Sequence, residues 1–200
     1  MAETDKPLLA HLFRRAGFGA TFQELRHYSQ IGYEAAVDEW LHPEQQPPIE
    51  EDVLERYYID WKESRNIEGA LTESVYRMNA YAGKRPLQEK VALFWHQVFA
   101  TGLAKVLHEK TMLNQIDLFR QHGLGNFRDL LVNLAKDPAM IFWLDNNFNQ
   151  KDAPNENWGR ELLELFSMGV GMDGQENYSE EDVKNAARAF TGWTIDDDNV

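Results

Sequence analysis

The sequence predicts an all-α protein, and three observations carry that expectation. Apolar residues recur at three- and four-residue spacing along most of the chain. Helix-opening pairs of the Thr-x-x-Glu kind stand where those patterns begin, and Gly or Pro stands where they end. No pair of alternating segments joined by hairpin-type residues is apparent.

Taken in order, Thr21 with Glu24 reads as a capping box opening a helix through Leu25 and Tyr28 to about Ile31. Gly32 punctuates, and Tyr33–Leu41 forms a second helix that stops near Pro43. Residues 44–48, EQQPP, read as a linker after an N-terminal arm of residues 1–43. Two amphipathic helices are expected over 49–66 and 68–82, the first carrying Val53, Leu54, Tyr57, Tyr58 and Trp61. Pro86 suits a first helical turn. From it LQEKVALFWHQVFATGLAKVL is apolar on nearly every side, which predicts a central buried helix of about 86–107 with other helices arrayed around it. His108–His122 is the next helix, closed by Gly123 and Gly125. Asn126 caps FRDLLVNLAK, and Asp137-Pro138 stops that helix and starts a short one, AMIFWLD. A helix over Asn157–Met168 ends at Gly169 and Gly171, and Ser179 with Asp182 opens SEEDVKNAARAF. The expectation is one helical domain over 1–200, with residues 49–200 as its core.

The formal net charge is −13, and it is unevenly spread. Residues 1–144 hold 16 Lys+Arg against 20 Asp+Glu, net −4; residues 145–200 hold 4 against 13, net −9. Nucleic acids and anionic membranes attract clusters of Lys and Arg, and this chain offers none, so nucleic-acid binding is not expected. Cations or cationic partners suit the field better. There is no cysteine, which removes disulfides, thiol nucleophiles and thiolate metal sites. The first twenty residues lack a basic stretch followed by a long apolar one, so no signal peptide is visible and a cytoplasmic location is the default. No window approaches 18 uncharged apolar residues, so no membrane span is expected.

The stretch from Asp145 to Gly169, DNNFNQKDAPNENWGRELLELFSMG, is the densest in oxygen-bearing side chains. Counted from Asp145, positions 1, 3, 5 and 12 are Asp145, Asn147, Asn149 and Glu156, the oxygen pattern of a calcium loop between helices. Calcium or magnesium is the cofactor class this pattern admits. Gln150 stands where Gly makes the sharp turn, and Pro154 disturbs the usual path. The other reading is structural: the Asn residues form turns and caps, Pro154 fixes the entry, and Asn155 or Glu156 caps the helix that follows. On that helix Asn157, Arg160, Glu161 and Glu164 share one face. Arg160 with Glu164 reads as a surface ion pair; alternatively Asp145, Glu156, Glu161 and Glu164 converge and need a cation, a proton or Arg160 between them.

His96 sits on the most apolar helix, as a neutral core histidine or as a general base or metal ligand. A catalytic set of His96, Glu156, Glu161 and Arg160 follows from the second option. Arg14 and Arg15 precede an Ala-Gly-x-Gly turn and either clamp an anion or neutralise the acidic quarter. With Asn155, Asn157 and Glu164 they make the candidate ligand-binding set. No phosphate loop, Gly-x-Ser-x-Gly elbow or dinucleotide fingerprint is present.

The order HLFRRAGFGAT, KVALFWHQVFAT, LGNFRDLLVNLAKDPAMIFWLDN, PNENWGRELLELFSMGVG, YSEEDV and AARAFTGW resembles the bacterial family called domain of unknown function 1800, over roughly Leu8 to Trp193. The resemblance implies an all-α protein, often exported and frequently encoded beside a sulfatase- or phosphatase-like protein; no established activity comes with it. It places Arg14, Arg15, Phe94, Trp95, His96, Asp145, Asn146, Asn149, Pro154, Asn155, Glu156, Asn157, Arg160, Glu161, Glu164, Gly192 and Trp193 within the family's pattern. Members commonly carry a second His where this chain has Val98, and they run past the TGW motif. The expectation is that this chain is the N-terminal portion of a longer protein. Two functions stay open: a non-catalytic helical partner or export-accessory module, and an enzyme using Glu156, Glu161 and His96, with or without a divalent cation.

Overall fold

The computed structural model describes residues 5–47, 49 and 67–195. Within them the protein is all-α save for one two-residue strand pair. The helix expected over 49–66 lies almost wholly outside the described residues. The chain divides into two compact units: Met1–Phe94 with Phe119–Leu124, and Trp95–Leu118 with Gly125–Val200. No helix among the described residues is long and apolar enough to cross a membrane.

In the first unit, helices α1 (Asp5–Ala16), α2 (Phe22–Ile31) and α3 (Tyr33–Leu41) close on a core of Leu9, Phe13, Ala36 and Trp40. Thr21 and Glu24 make the reciprocal capping box that their spacing predicts. Gly32 then turns the chain at φ 98°, a backbone that side chains resist, so α2 ends and α3 begins on one residue. The core is aromatic. Phe13 meets Tyr28 and Trp40 edge-on at centroid distances of 5.1 and 4.5 Å, and the Tyr28 hydroxyl donates to Glu39 at 2.7 Å. Burial and the Glu39 carboxylate together push that phenol up to about 12. Truncating Phe13 or Trp40 to Ala would cost about 3–5 kcal/mol.

Helix α4 (Ile67–Lys84) and the opening of α5 (Pro86–Val98) follow. Glu89 on α5 is fully buried and takes a two-pronged pair from Arg120, at 2.7 and 2.9 Å. The Arg120 guanidinium also lies over the Tyr81 ring, 4.5 Å from its centroid. Gln88 donates to the backbone carbonyl of the same arginine at 2.9 Å.

The expected helix over 86–107 is divided. It ends at Val98, and a separate turn of helix, α6, spans Leu103–Val106. The break has a packing cause. The Thr101 hydroxyl engages Gln115 at 2.5 Å, and Gly102 lies so close to Trp143 that a Cβ there would stand 3.2 Å from the indole. Glycine is a poor helix former to begin with, so these contacts outweigh propagation. Phe94 and Val98 are exposed on α5, which is therefore less enclosed than its sequence suggests.

The second unit continues with α7 (Glu109–His122) as far as Leu118, the residues from Phe119 counting with the first unit, and then α8 (Phe127–Ala135), α9 (Pro138–Trp143), α10 (Asn157–Glu164) and α11 (Glu180–Ala189). Asn126 caps α8, Asp137 caps α9 with Pro138 in its first turn, and Ser179 forms a capping box with Asp182, all as the sequence predicts. Phe99, Leu130, Leu134, Met140, Trp158, Val183 and Ala187 are buried here. Phe166 meets Phe99 edge-on at 5.0 Å, and Phe190 meets Trp158 the same way at 5.7 Å.

Helix α10 stops four residues short of the predicted Met168. The amides of Met168 and Gly169 both turn back to the Leu163 carbonyl, and Gly169 takes φ 70°, a left-handed closure that glycine permits. A small hairpin follows that the sequence reading does not anticipate. Strands β1 (Gly171–Met172) and β2 (Gln175–Glu176) pair antiparallel across Asp173-Gly174, both at positive φ. That is the Asp-Gly signature of a tight two-residue hairpin turn, hidden because its strands are too short to show alternation.

Candidate functional site

The loop between α9 and α10 is built around three asparagines. Asp145 turns the chain at φ 58°, a conformation Asp tolerates better than most side chains. A single 3-10 turn, Asn146–Phe148, then presents Asn146 and Asn149 inward, both fully buried. Asn149 donates through Nδ2 to the Asn146 Oδ1 at 3.1 Å and to the Ala187 carbonyl at 2.8 Å. Its Oδ1 accepts from the Asn155 backbone N–H at 2.9 Å, and its own carbonyl accepts from Gly192 at 3.0 Å. Asn155 donates to the Asp145 carbonyl at 3.3 Å and accepts from the Asn157 N–H at 2.9 Å, so it supplies the side-chain cap of α10. Glu156, the other candidate cap, makes no side-chain capping bond. The loop is a clamp: it grips the C-terminal end of α11 and the N-terminal end of α10 at once.

The two helices can be gripped together because they nearly touch. A Cβ on Gly159 of α10 would stand 2.9 Å from the backbone nitrogen of Ala187 on α11. Only glycine permits that approach.

The charged face of α10 is resolved into pairs. Arg160 donates to both Glu180 oxygens, at 2.9 and 2.7 Å, and to Glu156 at 3.1 Å. Its charge is reinforced by these carboxylates, and the Glu180 carboxyl is held below its usual range by the Arg160 hydrogen bonds. Glu164 accepts from the Tyr178 hydroxyl at 3.2 Å, so the expected Arg160–Glu164 pair gives way to partners across the helix junction. The Glu161 carboxyl is raised by burial and by neighbouring Glu164, with Arg160 opposing. Asp145 is paired with Lys105 at 2.9 Å, and Lys105 also donates to the Trp143 carbonyl at 2.5 Å.

These distances test the hard-cation pattern. Asp145 Oδ2 holds an ammonium, Asn149 Oδ1 holds a backbone N–H, and Glu156 Oε2 holds a guanidinium. Asn147 alone of the four keeps a buried oxygen without a hydrogen-bond partner among the described residues. Among the described residues no three Asp, Glu or His side chains are grouped to hold a metal ion. Two of the four candidate oxygen donors are thus held by cations of the protein itself and a third by a backbone N–H.

His96 is half-buried on α5, and burial lowers its pKa, which favours the neutral ring. Arg14 and Arg15 are both exposed in the last turn of α1, in the first unit, where positive charge suits the helix end. Asn157 is exposed at the start of α10.

Three members of the site escape sequence reasoning. Glu180, Tyr178 and Lys105 lie 20, 14 and 40 residues from their partners, and long-range pairing leaves no periodic trace. Asn146 falls within the family's pattern, but nothing in the Asn-Asn run separates the inward asparagine from the outward one.

The model of the family described as "Protein of unknown function (DUF1800)" matches residues 11–200. Comparisons with curated proteins and with solved structures found no match. With nearly the whole sequence inside that match, the chain belongs to the DUF1800 family of proteins of unknown function.

Proposed function

We propose that this protein is a non-catalytic helical partner module whose Asn/Glu cluster at 145–164 holds the fold. The observation that carries this reading is the saturation of Asn149. A ligating or catalytic amide has to reach its substrate; this one is fully buried, with both N–H donors and its oxygen engaged by the protein. Arg160 supports the same reading, since Glu156 and Glu180 occupy its guanidinium.

Thermal unfolding in calcium, in magnesium and in EDTA tests it. A ligand that binds only the folded state raises the melting temperature as its concentration passes its Kd. The expected result is one melting temperature in all three conditions. A rise of several degrees with either cation, reversed by EDTA, overturns the reading.

A second reading rests on Glu161, whose carboxyl is raised by burial beside Glu164. A group so placed suits proton transfer, with Glu156 and the neutral His96 as its companions. It requires that Glu161 and His96 titrate as a coupled pair in solution. Independent titration curves by NMR would rule it out.

A further inference from the structure

The stretch that follows Arg160 has an unusual composition. From Glu161 to Asp182 there are seven Asp and Glu and no Lys, Arg or His. Within it four large apolar side chains are exposed in eight residues: Leu165 66%, Met168 49%, Val170 60% and Met172 83%. Scattered apolar residues need no explanation on a protein surface, but a run of four inside one acidic segment does.

The segment is held in shape. Asn177 donates to the Met168 and Gly169 carbonyls at 2.7 and 3.2 Å, tying the hairpin to the end of α10. Gly171 meets the Gln175 backbone so closely that no Cβ fits there. The backbone that carries these exposed side chains is thus constrained, while the thioethers of Met168 and Met172 can adapt to what covers them.

Charge decides what can cover it. Anionic lipid and acidic peptides are repelled by the surrounding carboxylates. A wholly apolar partner would strip water from Asp173 and Glu176 without giving them anything in return. A segment with apolar residues on one face and Lys or Arg on its borders satisfies both sets of groups.

We propose that Leu165–Glu176 is a docking surface for a basic amphipathic helix of a partner protein. This rests on the reading of the protein as a partner module and names the chemistry of the partner.

The test uses the full chain and a fluorescein-labelled Leu/Lys amphipathic peptide of about 15 residues, long enough to hold a helix on a surface. A peptide of the same composition in scrambled order is the control. Fluorescence anisotropy should show micromolar binding of the amphipathic peptide and roughly tenfold weaker binding of the scrambled one. Met168→Glu with Met172→Glu should weaken the amphipathic peptide by at least roughly tenfold. This variant adds negative charge, so attraction by charge alone predicts the opposite change. Both side chains are exposed, so its melting temperature should match that of the parent.

Equal binding of the two peptides, unchanged affinity of the variant, or no binding at all overturns the proposal. So does co-sedimentation with phosphatidylserine vesicles that exceeds peptide binding, since that makes the patch a lipid contact. The cation melting experiment fails or succeeds independently of these outcomes, so the docking surface and the partner-module reading can be rejected separately.

Discussion

Asn149 donates its side-chain amide to the carbonyl of Ala187 at 2.8 Å, joining the loop before α10 to the last turn of α11 across 38 residues. The carbonyl lies near the end of a helix, where its other donor is the Phe190 N–H at 3.2 Å. Asn149 also accepts from Asn155, whose own side chain caps α10. Asn149→Ala is expected to cost about 3 kcal/mol, because it removes three side-chain hydrogen bonds at about 1 kcal/mol each. In a chain of this size that is a fall of roughly 6–12 °C in melting temperature by calorimetry. Asn149→Asp turns a buried carboxylate oxygen onto the Asn146 Oδ1 and the Ala187 carbonyl, and should cost at least as much as Asn149→Ala.

Gly159→Ala tests the closeness of α10 and α11. The added methyl would meet the Ala187 nitrogen at 2.9 Å and the Ala186 Cβ at 3.2 Å. On an exposed helix this substitution is stabilising, since alanine is the better helix former by about 1 kcal/mol. Here overpacking should reverse the sign and destabilise by about 1–3 kcal/mol. Urea unfolding with an unchanged slope and a lowered midpoint is the expected result. A raised midpoint would show that the helices can separate at no cost.

The fold was legible where local chemistry decides structure. Thr21 with Glu24, Asn126, Asp137-Pro138 and Ser179 with Asp182 each need only neighbours three residues away. Sequence reading failed where distant groups decide. The break after Val98 depends on Gln115 and Trp143, and the Asp173-Gly174 hairpin is too short for its period to show. At the site, the asparagines were visible as turn and cap formers, and Asn155 is one. The pairing of Arg160 was not: helical spacing favours Glu164, but Glu180 offers two oxygens from another helix. A bidentate pair outranks a single i,i+4 contact.

The Glu89–Arg120 pair should behave as a buried ion pair does when one partner is lost. Both side chains are almost wholly enclosed, and the guanidinium is also stacked on Tyr81. Glu89→Gln leaves a positive charge without its counterion and should cost about 3–5 kcal/mol. Replacing both, Glu89→Leu with Arg120→Met, should cost much less than the two single changes added together. A double-mutant cycle by denaturant unfolding measures the coupling. Additive losses would mean that water reaches the pair.

Asp137 makes the stability of the fold depend on pH. Its carboxylate caps α9 through the Met140 N–H at 2.8 Å and accepts from Gln115 at 2.6 Å. Both bonds favour the charged form, yet burial outweighs them and lifts the pKa from 3.8 to about 6. The folded protein thus binds this proton more tightly than the unfolded chain does. The stabilising contribution is complete below pH 3.8 and is lost as pH rises through about 6, where the charged form must be kept buried. A shift of that size corresponds to about 3 kcal/mol across the window. His96, with its pKa lowered by burial, works in the other direction and loses stability as pH falls below the ordinary histidine range. Asp137→Asn keeps the cap and the hydrogen-bonding shape but removes the ionisation. Its stability between pH 4 and 6.5 should therefore lack the downward component of the parent, leaving the rise due to histidine. Chemical unfolding at half-unit pH steps reads both curves, and parallel curves for parent and variant would assign the parent's slope to other carboxylates.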